Sequence, residues 1–262
     1  MPHKARTAAL TFLTIGALSL TACGGDDAGA SDDSANGFDL VSEGTLTVCS
    51  DIPFVPFEYE ENGEYTGFDM DLVKEIATGL DLELAVQDVG FEGIASGTVL
   101  AAGQCDLEAS AITITPEREE AMGFADPYYD SLQSLLVPAD SDIKTIADLS
   151  GKKLGVQQGT TGEAYARENA PDAEIVSFPS DGELFPAIQS GNVDAVLQDL
   201  PVNIGHTEDG DFTIAEEYET DESYGFAMDK DNTELISAVN EQLTEMRDNG
   251  KYQEIYDKYF TE

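Results

Sequence analysis

The stretch from Lys153 to Gln198, KLGVQQGTTGEAYARENAPDAEIVSFPSDGELFPAIQSGNVDAVLQ, decides the fold. Short apolar or β-branched runs at Lys153 to Gln157, Glu174 to Phe178 and Ala195 to Gln198 read as strands. Between them lie helical patterns, one from Gly162 and one over Gly182 to Gln189. Strands that alternate with helices are the signature of parallel α/β sheets.

The same alternation occurs once before. Strands at Leu46 to Cys49, Glu83 to Val86 and Leu107 to Ser110 are interleaved with helices at Met70 to Leu80 and Gly93 to Ala102. The Met70 helix carries Leu72, Val73, Ile76, Ala77 and Leu80 at core spacing, with Asp69 and Asp71 in its first turn. After Pro138 a helix at Ile143 to Leu149 opens the second series. A pattern that restarts implies two lobes. The order changes after Ser223, with a strand at Tyr224 to Met228 and an amphipathic helix at Thr233 to Asn249 punctuated by Gly250. A last helix carries Tyr252, Ile255, Tyr256, Tyr259 and Phe260. Apolar strands before Pro138 and near Phe226 make two crossings between the lobes, and paired crossings form a hinge. The expected divisions are residues 41–136 for the first lobe, 137–223 for the second, and 224–262 for a hinge strand with helices returning to the first.

Ahead of these lies Lys4, Arg6 and an apolar run from Thr7 to Ala22 that closes with Leu20-Thr21-Ala22-Cys23. A basic start, a short apolar segment and small residues before a cysteine predict an export signal over residues 1–22, cleaved to leave Cys23 for lipid attachment. The run is shorter than the ~20 apolar residues that span a bilayer. Residues 23–40, poor in anything to bury, are expected to be a disordered acidic tether reaching about 20 Å. The protein is thus expected on the outer face of the cytoplasmic membrane, anchored through Cys23 and monomeric.

With 53 acidic against 12 basic residues the formal net charge is −41. That excess excludes nucleic acid as a partner and reads as a solvated, salt-tolerant surface. His206 is the one histidine after the leader, and no acidic string has the spacing of a calcium loop, so neither metal nor cofactor is expected. Cys49 and Cys105 remain. Cys49 ends a strand read over Thr45 to Cys49 and Cys105 opens one when the next is read over Cys105 to Ala109, which in a parallel pair separates them along the strand axis beyond the ~7 Å Cα limit. Two free, buried thiols are expected.

Seven strings then occur in order: Asp51-Ile-Pro-Phe-Val-Pro-Phe-Glu-Tyr59, Gly67-Phe-Asp-Met-Asp-Leu72, Phe91-Glu-Gly-Ile94, Ala111-Ile-Thr-Ile-Thr-Pro-Glu-Arg118, Phe124-Ala-Asp-Pro-Tyr-Tyr129, Gly155-Val-Gln-Gln-Gly-Thr-Thr161 and Asp194-Ala-Val-Leu-Gln-Asp199. Together they resemble the family 3 extracellular solute-binding proteins, the amino-acid-binding subunits of ABC importers, from about Gly44 to the end. Phe54, Phe91 and the run Asn249 to Tyr256 look closest to glutamine-binding members, with binders of cationic amino acids near behind. The resemblance implies a two-lobed α/β fold of the type II periplasmic-binding-protein kind, with mixed, mostly parallel sheets and two hinge crossings. It also implies an ABC permease as partner.

An α-amino acid demands a planar donor pair for its carboxylate. Arg118, the one arginine between Cys23 and residue 136, supplies such a fork and stays charged when buried. Thr113 adds a hydroxyl or backbone group. The ammonium needs an anion, and Asp199 follows an apolar strand at the end where α/β sheets place ligand contacts. Gly159, Thr160 and Thr161 precede a helix and can meet the carboxylate from the second lobe. Phe54 and Phe91 read equally as core residues or as aromatics around the ligand side chain, and the resemblance places both in the cleft.

Asp51, Ser110, Ala111, Gln157 and Gln198 complete the expected ligand-binding set. Many glutamine binders carry lysine where this chain has Gln157 and histidine where it has Gln198, so the side chain bound stays open between polar neutral and cationic kinds. A binding protein without catalysis is expected. The alternatives are a dehydratase-type enzyme on the same fold, or an accessory protein that hands ligand to a sensor.

Overall fold

A computed structural model describes residues 37–260. The expected leader over residues 1–22, the lipidated Cys23 and the tether as far as residue 36 lie outside the described residues. The chain begins with β1 (Thr45–Ser50), a hairpin of β2 (Tyr59–Glu61) and β3 (Glu64–Thr66), α1 (Phe68–Gly79) and β4 (Glu83–Asp88). Two short helices follow, α2 (Phe91–Ala95) and α3 (Thr98–Ala101), then β5 (Leu107–Glu108), α4 (Pro116–Ala121) and β6 (Gly123–Phe124). β7 (Tyr129–Pro138) leads through a 3₁₀ turn at Ile146–Leu149 to β8 (Lys153–Gln157), α5 (Thr161–Asn169), β9 (Glu174–Phe178) and α6 (Asp181–Gln189). The chain continues through β10 (Ala195–Asp199), α7 (Leu200–Gly205), β11 (Phe212–Tyr224), β12 (Ala227–Met228), α8 (Thr233–Asn249) and α9 (Lys251–Phe260).

These elements form two lobes. The first sheet has the order β4-β1-β5-β12-β6, with β1 parallel to β4 and β5. The second has the order β11-β7-β10-β8-β9, with β8 parallel to β9 and β10. α1 buries Leu72, Val73 and Ile76 completely on the first sheet, and each such aliphatic side chain contributes about 1.5–3 kcal/mol. α8 adds Leu235, Val239 and Leu243, and ends at Gly250, whose φ of 84° is the left-handed cap that glycine favours. α9 then brings Tyr252, Tyr256, Tyr259 and Phe260 against Phe68, with ring centroids 5.0–6.3 Å apart.

The lobes are joined by two neighbouring segments, at Ala125–Tyr128 and at Gly225–Phe226. They are stitched by the Ala125 N–H to the Phe226 carbonyl and the Tyr128 N–H to the Tyr224 carbonyl, each 2.9 Å. Tyr128 stacks on Phe226 at 4.3 Å, which stiffens the pair. β7 lies wholly in the second sheet from Tyr129 onward, so the chain enters that sheet ahead of the expected division at 136/137. The reason is β11, a long strand paired with β7 from Phe212↔Pro138 to Tyr224↔Tyr129. Its exposed acids Glu217, Glu219 and Asp221 hide the alternation. The expected strand at Tyr224 to Met228 is correspondingly reduced to Ala227–Met228.

Three further expectations are corrected. Phe38 and Leu40 pack against the first lobe's core and the Val41 N–H donates to Asp106 Oδ1 at 2.6 Å, so the tether ends before Phe38. The expected helix from Gly93 to Ala102 is broken by Gly97, whose φ is 68°. Most consequential, Cys49 and Cys105 form a disulfide, with Cα atoms 5.8 Å apart. Strand logic failed because Cys105 belongs to the loop before β5, not to the ladder, and is free to approach β1. Alkylation of unfolded, unreduced protein should therefore leave Cys49 and Cys105 unlabelled in peptide mass maps. Reduction should destabilise the fold, since a cross-link over a separation of 56 residues is worth about 4 kcal/mol in the chain-entropy account. Labelled Cys49 or Cys105 before reduction would contradict the pairing.

Candidate functional site

Asp51 follows β1, Ser110 and Ala111 follow β5, Gln157 ends β8, and Gln198 and Asp199 end β10. All lie at the carboxyl ends of parallel strands, where open α/β sheets leave a crevice. These residues and the rest of the twelve expected from sequence, Phe54, Phe91, Thr113, Arg118, Thr160 and Thr161, line one cavity. It holds about 400 Å³ free of protein atoms and is partly open to solvent.

Arg118 is placed by α4, whose first turn is capped by the Thr115 hydroxyl accepting from the Arg118 N–H at 3.2 Å. The side chain is buried, with its guanidinium 5.5 Å from the Phe91 ring centroid. Nη1 donates to the Thr113 carbonyl at 2.7 Å and Nη2 to the Gly159 carbonyl of the second lobe at 3.1 Å. Among the described residues no carboxylate is ion-paired with it. A fork fixed by two neutral carbonyls in this way keeps its charge available for an anion.

Asp199 lies across the cleft. Its Oδ1 accepts from Gln133 Nε2 and its Oδ2 from the Tyr224 hydroxyl. The same Gln133 nitrogen donates to Glu222 Oε2 at 2.8 Å. Gln133, Glu222 and Tyr224 escape sequence reasoning, because each is a polar residue within a strand and only the pairing of β7 with β10 and β11 brings them together. Gly162 lets this group sit close to α5. A Cβ there would stand 2.8 Å from Gln133 Oε1.

The threonines divide their roles. Thr160 caps α5, accepting from the Glu163 N–H at 3.0 Å while donating to the Gln157 carbonyl at 2.8 Å. Thr161 faces Thr113, with hydroxyls 3.5 Å apart. At the other end Gln157 Nε2 crosses the cleft to Asp51 Oδ2 at 2.6 Å. Gln198 instead turns inward, donating to Asp181 Oδ1 at 3.0 Å and Asn203 Oδ1 at 3.1 Å. Asp181 also meets His206 Nε2 at 3.1 Å. Ser110 donates to the fully buried Glu58 at 2.7 Å. Ala111 has a left-handed φ of 43°, and its N–H donates to Asp69 Oδ2 at 2.9 Å.

Residues 46–262 match the bacterial extracellular solute-binding proteins, family 3. The chain belongs to this family. Among its relatives, the ABC transporter glutamine-binding protein GlnH of Bacillus subtilis is 34% identical over 77% of this chain and 75% of its own length. The arginine-binding extracellular protein ArtP of the same species is 32% identical over 93% of each. A solved ancestral arginine-binding protein bound to glutamine superposes with a TM-score of 0.80 at 37% identity, covering 84% of this chain and all of that one. These relatives are binding proteins, extracytoplasmic by family.

Within this solute-binding protein the cleft is rich in acids that burial holds partly protonated. Burial raises Asp51, Asp69 and Asp199 to about 7 each, with like charge from Asp88 and Asp181 adding at Asp51 and from Glu222 at Asp199. Glu108, central in the first sheet with both oxygens unpartnered, is pushed by burial to about 9. Glu58 is raised by burial and by Asp69. Among the described residues no group of three or more metal-binding side chains is placed to hold an ion.

An acid whose folded pKa lies above its unfolded value stabilises the fold below the unfolded pKa. That contribution is lost as pH rises to the folded pKa, at about 1.4 kcal/mol per unit and group. The thermal midpoint of the ligand-free protein should therefore fall from about pH 4 to 9, with Asp51, Asp69 and Asp199 acting up to about 7 and Glu108 beyond. Glu108→Gln should flatten the decline between pH 7 and 9. A wild-type midpoint that rises over that interval would contradict the buried protonated acids.

Proposed function

We propose that the protein is a receptor for a polar neutral or cationic amino acid, which it captures between its lobes and passes to an ABC permease. One observation carries this reading: Arg118 and Asp199, opposite charges from different lobes, line a single cleft. The ligand carboxylate binds Arg118 with help from Thr113 and Thr161. Its ammonium binds Asp199. Phe54 and Phe91 flank the side chain and exclude water, and its tip meets Asp51, Ser110 and Gln157. Arg118 is the one cationic residue lining the cleft, so an acidic side chain lacks a second counter-charge there.

A ligand touching both lobes stabilises the closed arrangement by its differential affinity, and a permease can then read the closed shape. Lipid on Cys23 keeps the monomeric receptor at the outer face of the membrane. Catalysis has no place in this reading, because the cleft acids serve charge pairing.

A thermal-shift screen of the twenty amino acids with ornithine, citrulline and cystine tests it. A true ligand at 100 times its dissociation constant adds about 2.7 kcal/mol. Arg118→Ala should weaken that ligand at least about 30-fold by calorimetry, since truncating one partner of a buried charge pair costs about 2–5 kcal/mol. A flat screen, or unchanged affinity in the variant, would overturn the reading.

A further inference from the structure

The ammonium subsite contains one more carboxylate than an ammonium needs. We propose that Glu222 is a positioning residue of this subsite: tied to Asp199 through the Gln133 amide, it makes the two carboxylates hold one proton between them, which an entering ammonium expels to solvent. This rests on the amino acid reading above and extends it from where the ligand sits to what its binding exchanges.

The geometry is that of a bridged pair. Gln133 is fully buried, and its Nε2 donates both to Asp199 and, at 2.8 Å, to Glu222. The amide carries two hydrogens, so one goes to each carboxylate and a third contact, Thr161 Oγ1 at 3.4 Å, is long. Gln133 Oε1 has no partner and contributes no positive charge. Asp199 belongs to β10 and Glu222 to β11, with β7 between them carrying Gln133, so the backbone itself holds the two acids on one side of the sheet.

The charged and titratable groups around the pair are Arg118 from α4, Tyr224 from β11, Tyr129 from β7 and Glu58 ahead of β2. Tyr224 donates to Asp199 and is itself held neutral by burial. Glu58 is another acid, and Arg118 is the one cation of this group. Two carboxylates in one buried site do not both ionise readily: burial raises both, and the Glu222 charge adds at Asp199, against the Gln133 hydrogen bonds that lower each. A ligand brings an ammonium for the pair and a carboxylate for Arg118, so the site gains a cation beside the acids while Arg118 is occupied elsewhere. Both acids then ionise and one proton leaves to the buffer.

Calorimetry with L-arginine and L-glutamine as probes, run at pH 6.5 in phosphate and in Tris, counts that proton. Wild type should release close to one proton per ligand and weaken about tenfold from pH 7 to 6, as linkage requires. Glu222→Gln removes the like charge, so its release should fall below half a proton and its affinity change less than about threefold over the same unit. Equal release in both proteins would overturn the proposal.

A carboxyl ¹³C titration of ligand-free wild type gives a second test that needs neither a ligand nor a variant. Asp199 and Glu222 should titrate in two shared steps, whereas independent single steps near the ordinary carboxylate range would overturn it. Binding without proton release defeats this inference alone. Absence of heat with both probes together with a flat amino acid screen defeats the amino acid reading, and the carboxyl titration still decides the proton sharing.

Discussion

A buried guanidinium with no ion-paired carboxylate among the described residues is the constraint on which the rest of the structure turns. Arg118 is 7% exposed and is held by two backbone carbonyls, one from each lobe. Burying a charge without a partner is costly, and the fold meets that cost with fixed dipoles, the Phe91 ring face and acids placed across the cleft. The short α4 carries that one group, and the loop after β8 supplies the Gly159 carbonyl that holds it. Opposite it the protein concentrates acids beyond what its surface charge explains, because Asp51, Asp199, Glu108 and Glu58 are buried. A site of this kind favours a dipolar guest.

The hinge places this local arrangement between the two lobes. Its two segments run side by side, joined by backbone hydrogen bonds and by the stacked Tyr128 and Phe226. Tyr224 ends β11 at the hinge while its hydroxyl reaches Asp199. The residue that closes the second sheet thus touches the anion of the cleft, which couples strand position to charge. The shift that any guest produces is bounded by its differential affinity for the two arrangements.

Much of this was legible in the sequence, and the failures have physical causes. β8, β9 and α8 agree with the sequence reading because their apolar periodicity is uninterrupted. The twelve residues expected to bind ligand line one cavity, and strand ends and motif order are what mark them in the sequence. β11 was missed because its acids obscure the alternation, and the lobe division shifted with it. Gln133 and Glu222 were invisible for another reason: polar residues within strands acquire meaning only from partners 66 and 89 residues away. The Cys49–Cys105 pairing was misjudged because register was extended one element too far, into a loop that obeys no register.

The central claim concerns the orientation of an amino acid between Arg118 and Asp199. A crystal structure of the protein with the tightest binder from an amino acid screen tests it most directly. The account expects the ligand carboxylate within hydrogen-bonding reach of the Arg118 guanidinium, about 3 Å, and the ammonium against Asp199. A ligand bound outside this cleft, or lying in it with its ammonium away from Asp199, would contradict it.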